Sequence, residues 1–298
     1  MTDSQTRFSV CPSANVSNVA GQRTRHLNLE KQLPEGLLVT SSWLVRHGYS
    51  RQLLSHYVRT GWLRQPTRGV YQRPRGSLGW QQVVISLQTF LKKPLVIGGG
   101  SALELQGYAH YLRPEVKEVY LYGPEPPTSW LNKLPAKVRF IYRNSRKLFR
   151  TEADQGSFMK LIKGHQAQPS PGSDAGFLLQ PWGQWDWSLV LSAPERAILE
   201  LLDELPERES FEQTDKFMEG LSNLRPQQLQ KLLTRCRSIK VKRLFFFFAD
   251  RHHHAWLKRI DRSAVDLGKG KRMLVKGGKL NRAYQITVPE NLDAVQWR

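Results

Sequence analysis

The sequence predicts an α+β protein: a small helix–helix–hairpin unit near the N-terminus, followed by a larger mixed α/β part. Three observations lead there. Apolar residues recur at helical spacing on either side of Gly48 and give way, past Gly61, to two short β-prone runs. After Pro74-Arg75-Gly76 the pattern changes to helices alternating with short buried strands. The 298 residues, with 40% hydrophobic and 10% aromatic content, suffice for about two domains with sizeable cores, which excludes wholesale disorder.

Residues 1–25 are polar, Ser/Asn-rich and aperiodic, the composition of a loose tail. A short helical segment from His26 to Leu33 is halted by Pro34-Glu35-Gly36. Thr40 or Ser41 can cap a helix carrying Trp43, Leu44 and Val45, which stops at Gly48. Ser50 then caps a helix running to Thr60, with Leu53, Leu54, Tyr57 and Val58 on one face, and Gly61 ends it. Trp62-Leu63-Arg64 and Gly69-Val70-Tyr71-Gln72 read as two strands joined by the turn-rich Gln65-Pro66-Thr67-Arg68. This order, over residues 26–76, is that of a winged helix-turn-helix.

The larger part, residues 77–298, divides by composition into an α/β stretch (77–163), a Pro/Ser/Gly-rich loop resembling a linker (164–176), and a helical part ending in a basic β-hairpin (177–298). Trp80 to Leu91 predicts a helix and Leu95-Val96-Ile97 a buried strand. Gly98-Gly99-Gly100 leads into a helix with Ser101 and Glu104 at capping-box spacing. Val119 to Tyr122 and Val138 to Tyr142 read as strands. Ser192-Ala193-Pro194-Glu195 is a second capping-box pattern, followed by four helices that bury Ile198 to Leu205, Phe217 to Leu224, Leu229 to Cys236 and Val241 to Phe248. Met273 to Val275, a Gly277-Gly278 turn, and the alternating Tyr284, Ile286 and Val288 predict the terminal hairpin.

Composition narrows the function classes. The longest apolar run, Leu244 to Ala249, is far short of the ~18 residues of a membrane span. The first 17 residues lack the apolar core of a signal peptide. Two cysteines, Cys11 and Cys236, make neither a disulfide framework nor a zinc site, so a cytoplasmic protein without metal or other cofactor is expected. The net charge of +20 favours a polyanionic partner, nucleic acid before membrane. It is uneven: +8 over residues 1–76, +3 over 77–139, −4 over 140–224 and +13 over 225–298.

With its apolar side buried, the Ser50–Thr60 helix turns Arg51, Gln52, Ser55, His56 and Arg59 outward. Arg and Gln suit bidentate contacts with base edges in the major groove. The wing adds Arg64, Thr67, Arg68 and Arg73 at the flanking backbone. No acidic residue lies between Gly36 and Gly79, whereas a neutral solvated face mixes signs. In the terminal lobe, Lys269, Lys271 and Arg272 alternate with glycines that let the backbone approach phosphate closely; a solvated loop is the alternative. The strand–glycine–helix turn before Ser101 is an anion site in principle. It lacks the Gly-Lys-Ser/Thr of a Walker loop, and the strand that follows, Glu118-Val119-Tyr120-Leu121-Tyr122, has tyrosine where a nucleotidyltransferase needs a second carboxylate, so close strand–helix packing is the expected role of the glycines. His252-His253-His254 reads as a polar loop, Trp182, Trp185 and Trp187 as cover for a core edge, and Glu195, Glu200, Asp203, Glu204, Glu207 and Glu209 as a solvated helix face.

Five stretches resemble the AbiEi antitoxins of type IV abortive-infection toxin–antitoxin systems: Leu38 to Gln72, Ile97 to Leu112, Ala193 to Glu200, Val241 to Phe245 and Leu267 to Pro289. The resemblance implies an N-terminal winged helix-turn-helix and a larger C-terminal antitoxin domain. It implies a repressor that binds inverted repeats of double-stranded DNA in its own promoter and counteracts a neighbouring nucleotidyltransferase toxin, without being an enzyme itself. By position, the recognition helix is Ser50–Thr60 and the wing Leu63–Gln72. The absence of a heptad seam suggests a monomer that assembles cooperatively on the operator. Two other readings stay open at this point: a degenerate nucleotidyltransferase built around Ser101, and a one-component regulator whose C-terminal part binds a small ligand.

Overall fold

A computed structural model describes residues 29–108, 115–149, 152–163, 175–183 and 187–293. The expected tail (1–25), most of the linker-like loop (164–176) and Trp185 lie outside the described residues. Residues 29–32 are helical. Then come β1 (Leu38–Thr40), α1 (Ser41–Arg46), α2 (Arg51–Arg59), β2 (Arg64–Thr67) and β3 (Val70–Gln72). The three strands form an antiparallel sheet in the order β1-β3-β2, with Leu38 opposite Gln72 and Arg64 opposite the same residue on the other side. The strand β1 is not expected from sequence. The Leu37-Leu38-Val39 run is apolar on every residue because all three are buried, so the period-two signal is missing. The wing strand also begins two residues later than expected, placing the tip at Arg68-Gly69, where Gly69 has φ +77°.

The helix α3 (Trp80–Thr89) joins this unit to the rest. Its Ser86 hydroxyl accepts from the Leu38 N–H (2.8 Å) in β1. Two residues on, fully buried Gln88 donates to Leu95 O and Val190 O and accepts from the Val190 N–H. The larger part is built on a five-stranded mixed sheet in the order β6-β5-β4-β8-β7: β4 (Val96–Ile97), β5 (Glu118–Gly123), β6 (Arg139–Asn144), β7 (Phe177–Pro181) and β8 (Ser188–Ser192). Strands β5 and β6 are parallel, as are β4 and β8. Strands on both sides of residues 164–176 therefore share one sheet. The segment expected to be helical opens with β7 and β8, and α5 (Glu152–Lys163) packs beside them unforeseen. At the outer edge of β6, the Asn132 side chain donates to Phe140 O (3.0 Å) and accepts from the Phe140 N–H (2.9 Å), filling the place of a further strand.

Behind α4 (Gly99–Leu105) follow α6 (Pro194–Asp203), α7 (Phe211–Gly220), α8 (Pro226–Arg235) and α9 (Ile239–His252), then the hairpin β9 (Lys279–Asn281) and β10 (Ile286–Val288) and the short α10 (Glu290–Asp293). Neither expected capping box forms. The first helix starts at Gly99, so Ser101 lies inside it and its hydroxyl accepts from the Tyr120 N–H (3.1 Å). The second starts at Pro194 with Ala193 as N-cap, and Glu195 turns to Arg225 instead (2.9 Å). The hairpin is also shifted. Met273–Val275 is not a strand, and the reversal falls at residues 282–285 rather than at Gly277-Gly278. One buried cluster runs without a break from Leu29 through the sheet to Leu292.

Candidate nucleic-acid interface

Helix α2 is set by local chemistry. Gly48 (φ +87°) makes the turn after α1, the Ser50 side chain accepts from the Leu53 N–H (3.2 Å), and Gly61 (φ +78°) ends the helix. Leu54 and Tyr57 are buried beneath it, with Leu53 and Val58 packed at the margins. That burial fixes the opposite face: Arg51, Gln52, Ser55 and Arg59 are exposed. His56 is half-buried, with Nδ1 3.4 Å from Arg59 Nη2, and the Ser55 hydroxyl donates back to Arg51 O. Arg64 and Arg68 are exposed on the wing, Thr67 is half-buried, and the tip is tied to the start of α1 by the Ser41 N–H donating to Gly69 O (2.9 Å). Two short cationic edges are thus left exposed, the outer face of α2 and the wing.

Arg73 stands differently from the rest of the expected set. Its guanidinium pairs with Glu35 (2.9 Å) and Glu30 (3.3 Å), acids that lie just before the acid-free stretch and fold back onto it. It braces the base of the wing.

In the C-terminal lobe, Lys269, Lys271 and Arg272 are all exposed on a loop whose glycines take left-handed conformations, Gly268 at φ +63° and Gly270 at φ +79°. Arg272 bridges the loop to Ile286 of β10. Sequence reasoning gave no role to Lys242 and Arg243, which are buried in α9 beneath this loop. The available signal was two adjacent cations in a helix otherwise apolar from Val241 to Ala249.

The glycine turn before α4 holds an anion of the chain's own. The Gly99 N–H donates to Glu200 Oε2 (3.0 Å), and a Cβ on Gly98 would stand 2.2 Å from that oxygen and 2.4 Å from the Tyr122 ring. Half of the acidic series expected to be a solvated face is buried: Glu195, Glu200 and Glu204 are 1%, 0% and 6% exposed, whereas Glu207 is exposed. Each has a guanidinium partner that sequence spacing does not reveal for Glu195 and Glu204: Glu195 with Arg225, Glu200 with Arg196, and Glu204 with Arg143 (2.7 Å). Arg196 is itself held between the Phe149 and Phe177 rings, 4.4 and 4.5 Å from their centres. Burial raises the Glu200 carboxyl above its ordinary range, against the opposing pull of Arg196, and raises Tyr122 well above the usual phenol range.

The histidine run straddles the end of α9, with His252 inside the helix and His253 and His254 in the turn that follows. His252 closes α9 and meets Asp215 (2.8 Å), His253 is its left-handed C-cap, and His254 meets Met218 O (2.8 Å). Among the described residues no group of three or more His, Cys, Asp or Glu side chains is placed to hold a metal ion. Trp182 and Trp187 pack against the core margin.

The family of transcriptional regulators described as AbiEi antitoxins of type IV toxin–antitoxin systems matches residues 116–289, and its N-terminal domain matches residues 22–114. The chain belongs to the AbiEi antitoxin family. Its N-terminal family domain extends through α3 and α4, well past the composition break at Pro74–Gly76. No curated protein matches this AbiEi-family chain. Among solved structures it is similar in fold to the RV2827C protein from Mycobacterium tuberculosis, at 14% identity and a TM-score of 0.51 over 90% of each chain. No helix among the described residues is long and apolar enough to cross a membrane.

Proposed function

We propose that this AbiEi-family regulator binds inverted repeats in its own promoter as an autorepressor, using residues 26–76 as a winged helix-turn-helix, and counteracts a nucleotidyltransferase toxin through the larger part of the chain. The observation that carries the DNA reading is α2. It is capped at Ser50, rooted by Leu54 and Tyr57, and presents Arg51, Gln52, Ser55 and Arg59 on one exposed face beside Arg64 and Arg68 of the wing. Arg51 and Gln52, at the helix N-terminus, read bases. Arg59, Arg64 and Arg68 hold phosphates, with Thr67 and His56 at the margin. A single such unit reads a short half-site, so monomers assemble cooperatively on two repeats. Lys269, Lys271 and Arg272 add phosphate contacts from the C-terminal lobe.

The chain acts as a binding protein and not as an enzyme in this reading. The glycine turn before α4 is filled by Glu200 and walled by Tyr122, which disfavours the nucleotidyltransferase alternative. The test uses full-length protein in cells carrying the neighbouring toxin and a reporter under the native promoter. Arg51→Ala with Gln52→Ala should release the reporter and leave toxin neutralisation intact. Loss of both activities by a folded variant would overturn the division of labour, and continued repression would overturn the DNA assignment. Gel shifts on one and two repeats check cooperativity: a single indivisible complex from a protein already dimeric at low concentration rules out assembling monomers.

A further inference from the structure

The phosphate contacts assigned to the C-terminal loop rest on the proposal above, but what shapes that loop is visible in the structure. Arg243 is 3% exposed in α9, and its guanidinium donates to three backbone carbonyls: Leu267 O (2.7 Å), Gly270 O (2.7 Å) and, more weakly, Gln285 O (3.3 Å). Its neighbour Lys242, 5% exposed, donates to Asp266 O (3.1 Å). Four carbonyls, three from one short stretch and one from the turn before β10, thus converge on two buried cations.

Burying a charge without a carboxylate partner is costly unless its donors are satisfied, and here the donors are satisfied by main chain. The arrangement has a directional consequence. In a trans peptide the C=O and the following N–H point in opposite directions. Drawing Gly270 O inward to Arg243 turns the Lys271 N–H outward, away from the guanidinium. The conformation needs Gly270 at φ +79°, which side-chain-bearing residues rarely adopt. The side chains of Lys269, Lys271 and Arg272 are exposed on the same loop, and no acidic residue occurs between Asp266 and Glu290.

We propose that Arg243 is a positioning residue for nucleic-acid binding: it templates the 266–272 loop from beneath, so that the Lys271 N–H and the Lys269, Lys271 and Arg272 side chains meet the phosphate backbone of duplex DNA as one preformed surface. A loop shaped in advance loses less conformational entropy on binding than a flexible basic one. The contact is independent of base sequence, so it adds to the operator recognition made by α2 without altering its preference.

The experiment measures anisotropy of a labelled 30-base-pair duplex of unrelated sequence against full-length protein between 50 and 200 mM salt. The slope of log affinity against log salt reports phosphates neutralised, at about 0.9 per contact. Changing Lys269, Lys271 and Arg272 together to Ala should lower the slope by about two to three. Arg243→Gln, which cannot span the three carbonyls, should lower it by at least one although the loop cations are intact, and Arg243→Lys should restore part of the loss. Gly270→Ala, whose Cβ meets nothing within 4 Å, should reproduce the Arg243→Gln effect through backbone conformation alone and serves if the buried variant does not fold. A normal slope for folded Arg243→Gln or Gly270→Ala beside a reduced slope for the triple variant overturns the templating role and leaves the loop's phosphate contacts standing. A normal slope for the triple variant removes those contacts and the templating role together, while the operator reading by α2 is untouched.

Discussion

Arg51 and Arg59 lie two helical turns apart on α2, and their positions give them different consequences. Arg51 is in the first turn, beside Gln52, the end that would enter the groove in the proposed DNA reading; Arg59 is in the last turn. Replacing Arg51 or Gln52 by Ala should cost about 1–3 kcal/mol on the native promoter and blur its sequence preference, as competition gel shifts would record. Replacing Arg59 or Arg68 should weaken all duplexes alike and reduce the salt slope by about one unit. A base-specific loss from Arg59→Ala would reverse the assignment within the helix. At Asp215, burial pushes the carboxyl up, but the hydrogen bonds from His252 and Arg251 outweigh it and hold the group below its ordinary range. A carboxyl lowered by folding adds stability above its unfolded value, near ~3.9, and loses it as pH falls through the folded value. Asp215→Asn should therefore destabilise the chain at pH 7 by about 1–3 kcal/mol, with the gap from wild type closing below about pH 4 in urea titrations. An equal gap at pH 3 and pH 7 would mean that packing rather than charge is lost.

Elements whose signals are local were legible in the sequence. Ser50 and Gly61 bracket α2 because a cap and a left-handed stop are written in single residues, and α8 and α9 follow from apolar spacing. The elements that escaped depend on distant partners. Strands β7 and β8 become strands by closing a sheet on β4, nearly a hundred residues earlier in the chain. The carboxylates of α6 look like a solvated face until Arg143 and Arg225 arrive from other elements, and Pro194 rather than Ser192 starts that helix because Ser192 is still in β8. The cationic residues of α2 were readable, whereas the pairing of Arg73 with Glu30 and Glu35 was not, because those acids precede the acid-free stretch and meet it only in the fold. The close approach of α4 to α6 gives an element-scale prediction. Glu200→Gln leaves the Arg196 guanidinium buried without its charge partner and should cost about 3–5 kcal/mol in denaturant unfolding. A loss below 1 kcal/mol would show that the Phe149 and Phe177 rings and Ala175 O suffice for that cation.

For the whole molecule, α3 matters most. Ser86 holds β1 on one side and Gln88 holds β8 on the other, so the proposed DNA-reading unit and the larger sheet share one helix and one continuous core. Full-length protein should accordingly unfold in a single transition, with tryptophan fluorescence and far-UV circular dichroism reporting the same midpoint. Separated midpoints would show that the two parts melt independently. A fragment beginning at residue 77 would strip β1 from α3 and uncover its buried face, including Val83 and Ser86, so separation of the two activities is better sought with point variants in the intact chain.

The small amide of Asn132 reaches further than its size suggests. An open sheet border is a template on which copies of a protein can polymerise, and cells have to guard against it. Here the Phe140 donor and acceptor are both occupied by one side chain of the same molecule, and Tyr142 O is taken by Arg143. A neighbouring copy that tried to add its own strand would have to expel Asn132 first. Self-association is thereby discouraged along this border, which suits the proposed meeting of copies on DNA rather than through this edge of the sheet.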